Sequence, residues 1–197
     1  MTNFASTADK NKFKKILHEF FRVLLFFVVL LIAVLFLTNL HIPRVQIYGC
    51  DMEKVVQWKN KPHFVTEGCY FDSGQLQTEE LARSGNFSVK VGGKNQYALS
   101  HEYTNLTGFE VVTITAWRHS VASQKGSIVM SIPNKILWQS GAKVIEKTAD
   151  GWEKIQLVHA VPRAAKNKKL TIYLWHPSKA IAYFDDLEVK IVQEEVL

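Results

Sequence analysis

Residues 111–117 read Val-Val-Thr-Ile-Thr-Ala-Trp, and residues 183–192 read Tyr-Phe-Asp-Asp-Leu-Glu-Val-Lys-Ile-Val. In the first, Val112, Ile114 and Ala116 alternate with Thr113 and Thr115. In the second, Leu187, Val189 and Ile191 alternate with Glu188 and Lys190. Successive side chains of a strand point to opposite faces, so period two marks a strand with one face buried. The pattern recurs in Phe64–Phe71, Phe87–Val91, Tyr97–Tyr103, Ser127–Ile132, Lys154–His159 and Leu170–Leu174. Gly85-Asn86, Gly92-Gly93, Asp150-Gly151 and His176-Pro177 punctuate these runs. Eight short strands with no long helical pattern between them predict an all-β sandwich, and the count favours a jelly roll. Internal repeats are absent, which argues against a solenoid or propeller.

Composition bounds the rest. The 197 residues allow one domain of ordinary size with an appendage, and the 47% hydrophobic share excludes disorder along the whole chain. Two cysteines cannot staple a mini-scaffold, and no Cys/His spacing resembles a zinc site.

The appendage is at the start. From Val23 to Leu37 runs VLLFFVVLLIAVLFL, and Leu40 extends it. As a helix, residues 23–40 span roughly 27 Å at about 1.5 Å per residue, close to the hydrocarbon thickness of a bilayer. A buried core helix would keep a polar stripe. A cleaved signal peptide would be shorter, with small residues at its exit, where this chain has Thr38-Asn39-Leu40-His41-Ile42-Pro43. The reading is therefore an uncleaved single-pass anchor through the lipid bilayer. Lys10, Lys12, Lys14, Lys15 and Arg22 precede it, against Asp9 and Glu19, so residues 1–22 form a cytoplasmic basic tail. Phe13, Ile16, Leu17 and Phe20 recur at helical spacing there, as an extension of the spanning helix or as an interfacial turn. Residues 41–62 read as an irregular stem, and residues 63–197 as an extracytoplasmic module, periplasmic in a Gram-negative cell. Beyond Arg44 the basic residues are spread singly apart from Lys166, Lys168 and Lys169, which gives no support to nucleic acid as a partner.

SGNFSVKV (Ser84–Val91) after FDS (Phe71–Ser73) resembles the opening of galactose-binding-domain-like jelly rolls, the scaffold of many carbohydrate-binding modules. LTIYLW (Leu170–Trp175) and AYFDDLEVKI (Ala182–Ile191) resemble the closing strand pair, and GFEVVTITAWRH and DGWEKIQL the middle strands. The resemblance covers about residues 64–193. It implies a non-catalytic binding module for carbohydrate or cell-envelope glycan. The alternative is an assembly subunit whose sandwich docks an envelope protein, since one fold hosts many functions.

Sugar-binding members stack sugar rings on exposed aromatics. Trp138 and Trp175, near strand ends, are the platform candidates, with Tyr97 and His176 among the residues able to add hydrogen bonds. Trp117 and Trp152 read as packing residues. Family members often hold structural calcium where the first and last strands meet, and the residues here that match are Asp72, Asp185 and Asp186. Alternation puts Asp185 on the face of Leu187, where a carboxylate needs a cation, a basic partner or backbone amides. Cys50 and Cys69, both beyond the anchor, are open to a bridge or to standing as two buried thiols. No G-x-S-x-G elbow, phosphate loop or H-E-x-x-H motif is present. Glu67, Asp72, Glu102 and Glu110 could pair as glycosidase carboxyls only without motif support. The expectation is that the chain is not an enzyme.

Overall fold

The computed structural model describes residues 7–39, 43–66, 68–120 and 125–193. The chain divides into two compact units, Met1–Ile42 and Pro43–Leu197. The first contains one helix, α1 (Thr7–Asn39). No Gly or Pro interrupts it, and Glu19 and Arg22 pair at 3.3 Å one turn apart. Helix geometry thus continues through the basic flank, and the interfacial turn is part of α1. Its segment Phe13–Leu35 has a mean hydropathy of 2.4 and is long and apolar enough to cross a membrane. That segment starts ten residues before the expected 23–40, and residue 40 lies outside the described residues.

The second unit is built of strands β1 (Arg44–Cys50), β2 (Val55–Trp58), β3 (Lys61–Thr66), β4 (Cys69–Phe71), β5 (Gln77–Thr78), β6 (Ser88–Val91), β7 (Tyr97–Tyr103), β8 (Glu110–His119), β9 (Ser127–Ile132), β10 (Leu137–Gly141), β11 (Lys143–Lys147), β12 (Glu153–Ala160), β13 (Leu170–Trp175) and β14 (Ala182–Gln193). One sheet runs β11-β12-β8-β14-β6-β5, with β1 also paired to β14; the other runs β10-β9-β13-β7. All pairings are antiparallel. From β6 to β9, and again from β12 to β14, successive strands alternate between the sheets. That alternation makes the unit a jelly-roll β-sandwich. A third sheet, β2-β3-β4, completes it.

The alternation read from the sequence fills the core. Val112, Ile114 and Ala116 from β8 and Ile155 and Leu157 from β12 enter it from one sheet; Ile128, Met130, Ile172 and Leu174 enter from the other. At about 25 cal/mol per Å² of apolar surface removed from water, such side chains supply most of the stabilising free energy. Gly92, at φ 135°, follows β6 where a Cβ would overlap the Ala180 carbonyl oxygen, so only glycine fits this turn.

Two expectations are corrected. The stem is not irregular: β1 pairs with β14 from Arg44↔Gln193 to Cys50↔Leu187, and β2 and β3 form a hairpin. Strand formation there depends on the partner's open edge rather than on the segment's own pattern. The run Phe64–Phe71 is two strands, β3 and β4, with Gly68 at φ 89° between them.

Candidate functional site

On β9, β10 and β13 the residues that do not enter the core form the outer face of the four-stranded sheet. Trp138 is paired with Ser131, which is paired with Thr171; Trp175 is paired with Ser127 and Tyr97. Tyr173 lies two residues from Trp175 and so shares its face. The Trp138 and Trp175 rings meet edge to face at 6.2 Å, and those of Tyr97 and Tyr173 at 5.7 Å. Strand β9 separates the strands bearing the two tryptophans, so their rings close over it. This accounts for Val129, which points away from the core and is nevertheless fully buried. The result is an aromatic strip across the sheet, in which Trp138 and Tyr97 are the most open members, each 57% exposed.

Around the strip lie hydroxyls and charge. Ser127 and Ser140 are hydrogen-bonded at 2.8 Å. Glu102, beside Thr171, pairs with Lys169 at 2.7 Å. Trp175 Nε1 is buried and has no hydrogen-bond partner among the described residues. Such a surface offers π faces to apolar C–H groups and hydroxyls to polar ones.

Three expected ligand residues, Trp138, Trp175 and Tyr97, therefore share one face. His176 does not join them: it is fully buried, and burial holds its imidazole below the ordinary range. Tyr173 was missed, although alternation from Trp175 puts it on the same face. Trp117 and Trp152 are buried, at 4% and 1% exposure. Trp58 and Tyr70 stack at 5.2 Å with their planes 6° apart on the small sheet, a pairing no spacing in the sequence announces.

The acidic residues are distributed differently from expectation. The registers Asp185↔Trp117 and Glu188↔Thr115 leave Asp186 and Leu187 opposite Ala116, a bulge at which Asp186 takes φ 47°. The bulge reverses the parity of β14, so Asp185 lies on the face of Trp117 and not on that of Leu187. The segment Arg83–Ser84 covers it. Asp185 Oδ2 accepts from the backbone N–H of Arg83 at 2.8 Å and of Ser84 at 3.2 Å, while Oδ1 accepts from that of Asp186 at 2.8 Å. Burial outweighs these bonds and pushes its carboxyl up to about 6. Asp186 accepts from Ser84 Oγ at 2.8 Å. Asp72 instead pairs with His63 Nε2 at 2.7 Å. Among the described residues no three acidic, His or Cys side chains group to hold a metal.

Glu153 is nearly buried and meets Arg118 and Lys125 at 3.0 Å and Lys147 at 3.1 Å. Burial alone would raise its carboxyl, but these three cations hold it at about 2. Glu110 accepts from Thr107, Gly108 and Phe109, and Glu67 lies outside the described residues. Cys50 and Cys69 are both buried free thiols, pushed up by burial to about 12 and about 11.

No family model matches the sequence, and no curated protein matches it. Solved structures do. A CBM22-1 xylan-binding domain from Paenibacillus barcinonensis is 18% identical with a TM-score of 0.48, over 76% of this chain and 97% of that one. The CBM22-1–CBM22-2 tandem of the same organism is 17% identical with a TM-score of 0.48, over 77% and 47%. Its CBM22-2 xylan-binding domain is 14% identical with a TM-score of 0.41, over 75% and 99%. The chain thus spans nearly all of an isolated module and about half of the tandem. In its β-sandwich the chain is similar to carbohydrate-binding modules of jelly-roll fold.

Proposed function

We propose that this chain is a membrane-anchored, non-catalytic glycan-binding module, its basic N-terminus cytoplasmic and its sandwich on the far side, facing cell-envelope glycan. The aromatic strip of Trp138, Trp175, Tyr173 and Tyr97 carries this reading. Aromatic rings set among hydroxyls fit the C–H groups and hydroxyls of sugar rings, and Trp138 and Tyr97 are exposed enough to receive them. The lysines ahead of α1 support the orientation.

The test is a polysaccharide pull-down and glycan array with the full chain in detergent micelles. Saturable binding should weaken at least tenfold, about 1.4 kcal/mol, in Trp138→Ala and in Tyr97→Ala. Binding that ignores both substitutions refutes the strip as the site. No glycan signal, together with a stoichiometric protein partner in detergent extracts, would favour the assembly role instead. Protease added outside spheroplasts should digest the sandwich; protection of residues 43–197 would reverse the orientation.

A further inference from the structure

The outer face of the larger sheet changes character along its strands. Val189 and Ile191 of β14 belong to the core, so Glu188, Lys190 and Val192 point outwards. Paired residues share a face, and the registers sort the outward side chains into rows across β1, β14, β8 and β12. The row nearest the start of β1 is Val45, Val192, Val111 and Ala160. The next is Ile47, Lys190, Thr113 and Val158, and the third carries Glu188, Thr115 and Gln156. The first row is wholly apolar, the second mixed and the third polar. Val45, Ile47 and Val158 are 48%, 60% and 51% exposed. Apolar side chains gathered at one end of an open face mark a surface that meets something other than water.

Basic side chains border the same end. The loop of residues 161–169 follows Ala160 directly. Two bonds hold it there: the Val161 N–H donates to the Glu110 carbonyl at 2.8 Å, and the Asn167 N–H to that of Leu106 at 2.9 Å. Arg163, Lys166, Lys168 and Lys169 are all exposed on this loop. Arg163 lies over the Phe109 ring at 4.9 Å and Lys169 pairs with Glu102. Lys166 and Lys168 make no ion pair among the described residues. The second carboxylate here, Glu110, is matched by Thr107, Gly108 and Phe109. Glu194 and Glu195 follow Gln193 in the sequence and lie outside the described residues.

The start of β1 is also where the chain arrives from the anchor. Only residues 40–43 separate α1 from β1 in the sequence, and the five Cα steps from Asn39 to Arg44 cover at most about 18 Å. The apolar row and the basic loop therefore belong to the tethered end of the sandwich. Lysines beside apolar side chains suit a lipid interface, where apolar groups enter the headgroup boundary and cations meet phosphate. Neutral glycan offers such lysines no counter-charge.

We propose that this end of the sandwich is a lipid-docking surface, with Lys166 and Lys168 on anionic headgroups of the bilayer that α1 crosses and Val45 and Ala160 at the headgroup boundary. The inference rests on the anchoring part of the proposed function and not on glycan binding. A second point of attachment removes the swing that a single tether leaves, and so fixes the direction in which the aromatic strip faces.

The test is fluorescence quenching of the full chain reconstituted in vesicles. A bimane label is placed at Ala164→Cys on the loop or, as the control, at Lys94→Cys in the turn after β6, at the opposite end of the sheet. The native thiols are buried and do not compete for label. The quencher is phosphatidylcholine spin-labelled on its headgroup. With about 30% phosphatidylglycerol in the vesicles, quenching at residue 164 should exceed that at residue 94 by about threefold or more. Leaving out phosphatidylglycerol should remove most of this excess, as should about 1 M NaCl, where the Debye length is about 3 Å. Lys166→Gln combined with Lys168→Gln should cut the excess by about half or more at unchanged Tm. Val45→Thr, which keeps a β-branched side chain in the strand, should lower it further. The inference is overturned if the two labels are quenched alike in anionic vesicles. It is equally overturned if neither lipid charge nor the lysine substitutions alter quenching at residue 164. A chain that carbonate strips from the vesicles lacks the anchor, which overturns the anchoring reading and this inference together. A chain that resists carbonate but shows no difference between the labels overturns this inference alone.

Discussion

Replacing Asp185 by asparagine tests how the fold treats its most buried carboxylate. The side chain is fully buried, and its carboxyl is raised from 3.8 to about 6, chiefly by burial. A folded state that holds a proton more tightly than the unfolded chain gains stability at low pH and loses it as pH rises through the folded value. At 1.36 kcal/mol per unit, the whole effect is about 3 kcal/mol. Between pH 5 and pH 8 the lost share is about 1.4 kcal/mol, which for a chain of this size moves the Tm by about 3–6 °C.

Other groups move too. His176, held low by burial, stabilises above its ordinary range and loses that contribution as pH falls, the opposite sense. Glu153 and Glu110 are both lowered, so their losses come only at more acidic pH. All three are common to the wild type and Asp185→Asn, so they cancel in the difference between the two. Asparagine keeps an oxygen for the Arg83 and Ser84 amides but turns a donor towards the Asp186 N–H, an offset independent of pH. The assay is thermal unfolding by near-UV circular dichroism at pH 5, 6, 7 and 8, for both proteins in the same detergent. The wild type should fall relative to Asp185→Asn by those degrees as pH rises. A constant difference, or one that moves the other way, refutes the argument that burial outweighs the three amide bonds.

Glu153→Gln should cost about 3–5 kcal/mol, read as a lower Tm, because it leaves the nearly buried Arg118 guanidinium without its counter-charge; a change under about 1 kcal/mol would show that water reaches the pair. Cys50 and Cys69 should ignore Ellman's reagent at pH 8 in the folded protein, since raised thiols are scarcely ionised, and both should titrate after unfolding without reductant. A denatured chain with no free thiol would mean a bridge between them. Gly92→Ala should destabilise by more than about 1 kcal/mol, measured by chemical denaturation, because it combines an unfavourable φ with a clash on the Ala180 carbonyl.

Much of the fold and part of the candidate site are legible in the chain. Alternation in Val111–Trp117 and Leu170–Leu174 identifies β8 and β13 because burial of one sheet face is written into every second residue. The same parity takes Trp175 and Tyr173 to one outer face. The short β5 and the hairpin arm β10 lack that signal: Trp138 sits in a strand only because β9 offers it an edge. The apolar helix is equally local in origin, since length, hydropathy and the absence of breakers need no partner.

What lay beyond the sequence depended on register and on residues far apart along the chain. The bulge at Asp185–Asp186 reversed the face of a carboxylate that simple alternation had assigned to the core side, and Arg83 and Ser84, about a hundred residues earlier, then met its charge. β1 looked like part of an irregular stem, because its inward positions are polar; only the edge of β14 made it a strand and set Tyr48 against Tyr103. Local periodicity records which face of a strand is buried. Which strands become neighbours, and which side chains then meet across the space between two sheets, is decided only when non-local pairing closes the sandwich.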